Sequence, residues 1–275
     1  MDTQKKYVLN NGVEMPVLGL GVYKTEDGEE TIQSVQYAVE AGYRLIDTAM
    51  FYGNEKSVGK GIKQCGVARE EIFVTTKVWN DDVRGGKVKE AFERSLENLG
   101  LDYLDMYLIH WPAEGYQEAW RVLEELYEEK RIRTIGVSNF QDYHIEELLK
   151  CAKVVPAVNQ IECHPRLTQE PLRKYLKSKN ILPQAWSPLG RNKDNLFGED
   201  ILVALSEKYE KTPAQIILRY EIQNGIAVIP KSAKKERIIS NIQVFDFELS
   251  KEDMEKISSL NQNLRTGPDP DSFDF

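Results

Sequence analysis

The sequence predicts an α/β fold in which a parallel sheet closes into a single (β/α)8 barrel of the TIM type. Three observations carry this. Short apolar runs (L-I-D, F-V-T-T-K, M-Y-L-I-H, T-I-G-V-S-N, A-V-N-Q, Q-A-W and A-V-I-P-K) stop on Asp47, Lys77, His110, Asn139, Gln160, Trp186 and Lys231. Amphipathic helical stretches separate most of these runs, and parallel strands need crossovers of about a dozen residues or more. The chain has 275 residues, close to the ~250 of one such barrel. A barrel of this kind gathers its functional residues at the C-terminal ends of its strands, so these residues are expected to ring one mouth.

Along the chain, Lys5 to Met15 reads as a β-hairpin, Y-V-L and V-E-M around an Asn-Asn-Gly turn, placed to plug the N-terminal end of the barrel. The first barrel strand is expected at Leu18–Gly21. Helices are expected at Gly28–Ala41, Lys56–Gln64, Lys87–Leu99, Tyr116–Glu129, Asp142–Ala152 and Gln169–Lys179. The gap between Trp186 and Lys231 leaves room for an extra helix, so Asp200–Tyr209 and Pro213–Gln223 both fit before a last strand near Ile226–Ile229. Thr212 before Pro213 pairs an N-cap with a first-turn proline. Two C-terminal helices, Lys235–Ile242 and Ser250–Leu260, follow, and Ser250 with Asp253 approximates a capping box. The run Glu124 to Arg131 reads as an exposed helix face. After Leu264 the tail, with two prolines and three aspartates, is expected to be irregular. No linker divides the chain, so residues 1–275 read as one domain.

Composition narrows the function. At 41% hydrophobic and 29% charged, the chain can build a large core and stay soluble. No run of 18 apolar residues occurs, which argues against a membrane span. The start M-D-T-Q-K-K-Y lacks an apolar segment that a secretion signal needs, and a cytoplasmic protein is expected. Cys65, Cys151 and Cys163 have no C-x-x-C spacing and read as reduced thiols. A net charge of −8 argues against a nucleic-acid partner. Nothing demands more than a monomer. No metal is expected: Glu162, Cys163 and His164 stand in a row without the spacing or fourth group that zinc needs, so His164 reads as a loop residue.

The chemistry expected at the mouth is proton transfer. D-T-A-M-F-Y brings Tyr52 onto the loop after Asp47, with Lys77 and His110 ending the next two strands. A free tyrosine, with a pKa of ~10, is protonated at neutral pH and can act as an acid. A lysine ammonium about 4 Å away is worth up to ~4 kcal/mol at an effective dielectric of 20, a ceiling of roughly three pKa units. That reading brings Tyr52 down toward efficient proton transfer. Asp47 holds the ammonium in place, and a neutral His110 orients a substrate oxygen. The set suits protonating a developing alkoxide, with Tyr23, Trp79 and Trp111 lining an aromatic substrate pocket. Reduction is expected to favour neutral or mildly acidic conditions, and alcohol oxidation alkaline ones.

Over nearly its whole length the chain resembles the aldo-keto reductase family. G-Y-R-L-I-D-T-A-M-F-Y-G-N-E-K-S-V-G (Gly42 to Gly59) matches that family's first signature. T-T-K-V-W and Y-L-I-H-W-P match its lysine and histidine strands, and I-P-K-S-A-K-K-E-R-I-I-S-N (Ile229 to Asn241) its adenosine-phosphate signature. The resemblance looks closest to the short bacterial and protozoan branch of glyoxal, diketogluconate and prostaglandin F reductases. It implies NADPH-dependent reduction of aldehydes, reactive ketones and dicarbonyls, with Tyr52 as proton donor, Asp47 and Lys77 its modulators, and His110 orienting the carbonyl.

The resemblance further implies that Ser138, Asn139 and Gln160 bind the nicotinamide carboxamide and that Trp186 stacks on the ring. Ser187 and Leu189 would lie along the pyrophosphate. Lys231, Ser232 and Arg237 would take the 2′-phosphate, with Asn241 at the adenine. Arginine suits such a site by bidentate geometry and lysine as a point charge. The G-L-G at Gly19–Gly21 is followed by Lys24, so no Rossmann fingerprint competes with this reading. The short tail is expected to leave the substrate pocket open on one side. Two alternatives stay open: a barrel aldolase using Lys77 as a Schiff base, and an NADP-holding sensor with little turnover.

Overall fold

The computed structural model describes residues 5–275. An antiparallel hairpin, β1 (Lys6–Val8) and β2 (Glu14–Pro16), precedes eight parallel strands. These are β3 (Leu20–Gly21), β4 (Leu45–Asp47), β5 (Phe73–Val78), β6 (Leu104–Ile109), β7 (Ile132–Ser138), β8 (Val158–Glu162), β9 (Leu182–Trp186) and β10 (Ala227–Val228), paired in chain order. Parallel bridges from Leu18 to Val228 and from Gly21 to Lys231 close the ring. The first strand is two residues shorter than expected, though Leu18 bridges Val228 and the Gly19 amide donates to the Val228 carbonyl at 2.9 Å; its glycines sit where neighbours crowd in. A Cβ at Gly21 would lie 2.8 Å from the Ile229 carbonyl oxygen, and one at Gly19 would overlap the Leu45 side chain.

Helices α1 (Glu29–Glu40), α2 (Glu55–Gln64), α3 (Asn80–Arg84), α4 (Val88–Leu99), α5 (Tyr116–Glu128), α6 (Asp142–Leu149) and α7 (Glu170–Ser178) alternate with the strands through β9. Two helices, α8 (Asp200–Tyr209) and α9 (Pro213–Gln223), precede β10, and α10 (Lys235–Ile242) and α11 (Lys251–Ser258) follow it. The predicted caps form: Thr212 and Gln215 bond reciprocally at α9, and Ser250 Oγ accepts from the Asp253 amide at α11. The five-residue α3 was missed, since one turn carries no readable period.

One sequence reading is corrected by a buried side chain. Glu124 is not on an exposed face. Its Oε1 accepts from Trp120 Nε1 at 3.1 Å and from the amides of Lys153 and Val154 at 2.6 and 2.8 Å. α6 is regular to Leu149, the Ala152 amide still donates to the Leu148 carbonyl at 3.0 Å, and the chain then turns where Glu124 takes the next two amides.

The hairpin plugs the N-terminal end of the barrel as expected. Leu9 and Met15 join Leu45, Phe73, Met106, Leu108, Val158 and Ala227 in one buried cluster inside the sheet. Asn10 and Asn11 fasten the turn to main-chain oxygens of Pro156 and Arg133 at 3.0 and 3.1 Å. The outer face of the sheet packs beneath the helices through residues such as Ile46, Val74, Tyr107 and Ile109.

A further buried carboxyl lies on α9, away from the mouth. Glu221 on α9 meets Cys163 Sγ at 3.5 Å, and burial pushes it up to about 7 against the opposing charge of Arg173. A carboxyl with a raised folded-state pKa keeps its proton while the unfolded chain loses it. Stability therefore falls as pH rises from the ordinary glutamate value to about 7, by about 3 kcal/mol. Glu221→Gln is expected to remove that loss, so urea unfolding at pH 8 should show the variant gaining on the parent relative to pH 4. Equal differences at both pH values would contradict the assignment.

Candidate active site

The period-two alternation of a strand explains how the site is assembled. On β4, Leu45 points into the barrel core, so Asp47 does too, one layer higher. Leu108 on β6 places His110 in the same row, and Val158 on β8 does so for Gln160 and Glu162. Each inward row begins apolar at the plugged end and turns polar at the mouth. That mouth holds a cavity of about 420 Å³.

Lys77 lies beneath the cavity floor, fully buried. Its Nζ donates to Asp47 Oδ1 at 2.6 Å and to the Thr48 carbonyl at 2.8 Å, and lies 3.4 Å from the Tyr52 hydroxyl. Gln160 Nε2 donates to the other Asp47 oxygen at 2.7 Å and to Gln184 Oε1 at 2.8 Å. Burial presses against both charges, pushing the Asp47 carboxyl up and the Lys77 ammonium down, and each partner's charge opposes the other's shift. Two ions taken out of water here offset each other only by staying in contact.

Tyr52 departs from the sequence expectation. Burial raises its phenol well above the ordinary tyrosine value, and the charge of Asp47 and the neighbouring Tyr23 add to the rise. Lys77 therefore does not bring the phenol down in this state, because desolvation outweighs an ammonium already neutralised by Asp47. The phenol is stored as an acid. Burial and then the Lys77 charge push His110 well below its usual value, so its imidazole is neutral at pH 7. The two rings meet edge to face with centroids 5.8 Å apart.

Of the other residues singled out from sequence, Tyr23, Trp79, Trp111, Ser138, Asn139, Trp186, Ser187 and Lys231 line the cavity with Asp47, Tyr52, His110 and Gln160. Asn139 Nδ2 donates to the His110 carbonyl at 3.0 Å, and its Oδ1 accepts from Trp186 Nε1 at 2.8 Å. Ser138 Oγ donates to the Gln160 carbonyl at 2.9 Å. Leu189, Ser232, Arg237 and Asn241 lie off the cavity wall. Ser232 Oγ accepts the Lys234 amide at 3.1 Å just before α10, Arg237 is exposed on that helix, and Asn241 is buried on it. His164 is a buried loop residue whose Nε2 lies 3.2 Å from Glu162 Oε1.

The tail, expected to be too short to cover one side of the pocket, instead contributes to its wall. Pro268 and Phe275 of the tail line the cavity. The Phe275 ring stacks on Trp79 at 5.6 Å with planes 6° apart and meets Trp111 edge-on at 5.2 Å, while Phe273 packs on Trp111 at 5.1 Å. Asn80 Nδ2 and Arg84 Nη2 of α3 donate to the Phe275 main-chain oxygen at 3.0 and 2.8 Å. Eleven residues suffice because S-F-D-F spaces two aromatic side chains two apart, as an extended segment needs to face one wall. Sequence reasoning also missed Lys24, Phe51 and Arg191. Phe51 stacks on Trp79 at 3.9 Å, and its place one residue before Tyr52 was the available signal.

The model of the Aldo/keto reductase family matches residues 17–262. The chain is 55% identical to glyoxal reductase of Bacillus subtilis, covering 97% of this chain and 96% of that one. It is 51% identical to the 9,11-endoperoxide prostaglandin H2 reductase of Trypanosoma cruzi, over 96% and 94% of the two chains. Among solved structures it is similar to a Bombyx mori aldo-keto reductase in complex with NADP, with a TM-score of 0.91, 39% identity and coverage of 98% and 96%. Barrel, mouth and relatives agree, and the chain belongs to the aldo/keto reductase family.

Proposed function

We propose that this chain is an NADPH-dependent reductase of aldehydes, reactive ketones and dicarbonyls in which Tyr52 is the proton donor. The observation that carries this reading is the half-buried Tyr52 on the cavity wall, its hydroxyl 3.4 Å from Lys77 Nζ, beside a neutral His110. Reduced nicotinamide, when bound, supplies the hydride. The chain's own residues fit such a group. Trp186 is half-buried and presents ring surface to the cavity, and Gln160 Oε1 accepts no bond from another described residue. Lys231, exposed on the cavity wall, and Arg237, exposed on α10, are the cations this reading assigns to the phosphate.

Within this reading His110 aligns the substrate oxygen through a neutral ring nitrogen, and Tyr52 Oη delivers its proton to that oxygen. The charge left on the phenolate is then met by the Lys77 ammonium. Phe51, Trp79, Trp111 and Phe275 give the cavity an aromatic lining. The proposal includes a monomer working in the cytoplasm on small carbonyl compounds. Its three thiols are free, and no helix among the described residues is long and apolar enough to cross a membrane.

The Schiff-base alternative is disfavoured, since Lys77 Nζ is buried and engaged by Asp47, Thr48 and Tyr52. The sensor alternative is separated by assay. Loss of NADPH absorbance against a panel of aldehydes, dicarbonyls, quinones and keto-sugars is the expected result. Tight NADPH binding with no turnover on any of them would support the sensor. Arg237→Ala is expected to raise the NADPH KM about tenfold or more and to shrink the preference over NADH, since a charged phosphate contact is lost and the chemistry is untouched. An unchanged preference would remove Arg237 from the phosphate site.

A further inference from the structure

Glu162 takes no part in the proton transfer, yet it is a buried carboxylate at the mouth. It stands on β8 directly across from Trp186 on β9. Its Oε1 accepts the Thr266 amide at 2.7 Å, the Thr266 hydroxyl, and the Gly267 amide at 3.2 Å, and Oε2 lies 3.3 Å from the same Gly267 amide. Burial opposes ionisation of this carboxyl, but bonds from His164 and Thr266 outweigh it and hold the group below its usual range. At neutral pH it is therefore an anion, the stronger kind of acceptor.

The segment it holds bears on Trp186. A Cβ added at Gly267 would overlap Cη2 of the indole and lie 3.0 Å from Cζ3. The same ring is tethered at its other end by the bond from Nε1 to Asn139 Oδ1. Indole position is thus set from two sides, by a side-chain amide and by the tail backbone pressed onto the ring edge.

We infer that Glu162 is a positioning residue: through Thr266 and Gly267 it clamps the tail onto Trp186 and sets the ring plane offered to the nicotinamide. The inference rests on the NADPH reading above and adds to it the device that readies the stacking surface. A ring already held in place loses little freedom when a ligand stacks on it, which is where affinity is gained. His164 supports the clamp through the contact of its Nε2 with Glu162 Oε1 at 3.2 Å.

The test is NADPH affinity by fluorescence titration, with kcat at saturating NADPH measured alongside. Glu162→Ala and Gly267→Ala are each expected to weaken NADPH binding about tenfold, the value of a lost aromatic stack. Their kcat should stay near the parent value. Glu162→Gln, which keeps one acceptor oxygen for Thr266, should fall between. Gly267→Ala leaves the buried carboxylate and its partners in place, so it decides the matter even if Glu162→Ala fails to fold. NADPH binding by Gly267→Ala within about twofold of the parent would overturn the inference alone. A parent protein that does not bind NADPH would overturn the cofactor reading and this inference together.

Discussion

Tyr52→Phe is expected to lower carbonyl turnover by about 10²- to 10⁴-fold, the range that a positioned general acid supplies, while NADPH binds as before. The variant removes one oxygen and no ring. The tilted contact with Tyr23 at 4.9 Å and the edge contact with His110 at 5.8 Å do not involve the hydroxyl, so the wall of the cavity keeps its shape. What disappears is the hydroxyl that Lys77 Nζ reaches at 3.4 Å. Burial and Asp47 hold this phenol protonated, so at neutral pH essentially every molecule of the parent starts with the acid loaded. Steady-state rates and a fluorescence titration on the same variant separate the two effects. Near-parental turnover would end the assignment of Tyr52, and lost NADPH binding would mean that the hydroxyl also shapes the cofactor surface.

The second large effect is expected for Lys77→Met, which should cost about 3–5 kcal/mol of stability as well as activity. The Asp47–Lys77 pair is fully buried, at 2.6 Å. Removing the cation leaves Asp47, 1% exposed, with Gln160 Nε2 as its remaining side-chain donor among the described residues. Asp47 must then either bear an uncompensated charge or take up a proton, and both are costly. The double variant Asp47→Asn/Lys77→Met should recover most of the stability, because no lone buried charge remains. It should not recover turnover, because the phenolate formed after proton transfer has lost its ammonium. Urea unfolding of the single and double variants checks the first half and turnover the second. A Lys77→Met protein as stable as the parent would mean the pair is not buried as described.

Much of this site was legible along the chain because it is built from strand ends. Asp47, Lys77 and His110 each close an apolar run, and a period of two assigns a strand's last polar residue to the same face as the apolar residue two before it. The helix caps at Thr212 and Ser250 were legible for a similar reason, since both partners lie within one turn. Glu124 was misread because a charged run on a helix reads as solvated, and only the approach of Lys153 and Val154 gives its carboxylate two amides to accept. The Tyr52 phenol was misjudged in the same way. A Coulomb argument from neighbouring residue types includes the ammonium but not the dehydration of the whole group.

Local pattern by itself determined the strands and helices of the barrel, the plug at its foot, the motifs of the family and the strand ends that carry Asp47, Lys77 and His110, because each of these is read from residues a few positions apart. Only the folded chain decided who covers the mouth. Thr266 reaches Glu162 across 104 positions and Phe275 reaches Asn80 across 195. Contacts of that span leave no periodicity to read, and their partners are chosen by which surfaces the barrel happens to bring within hydrogen-bonding or stacking distance.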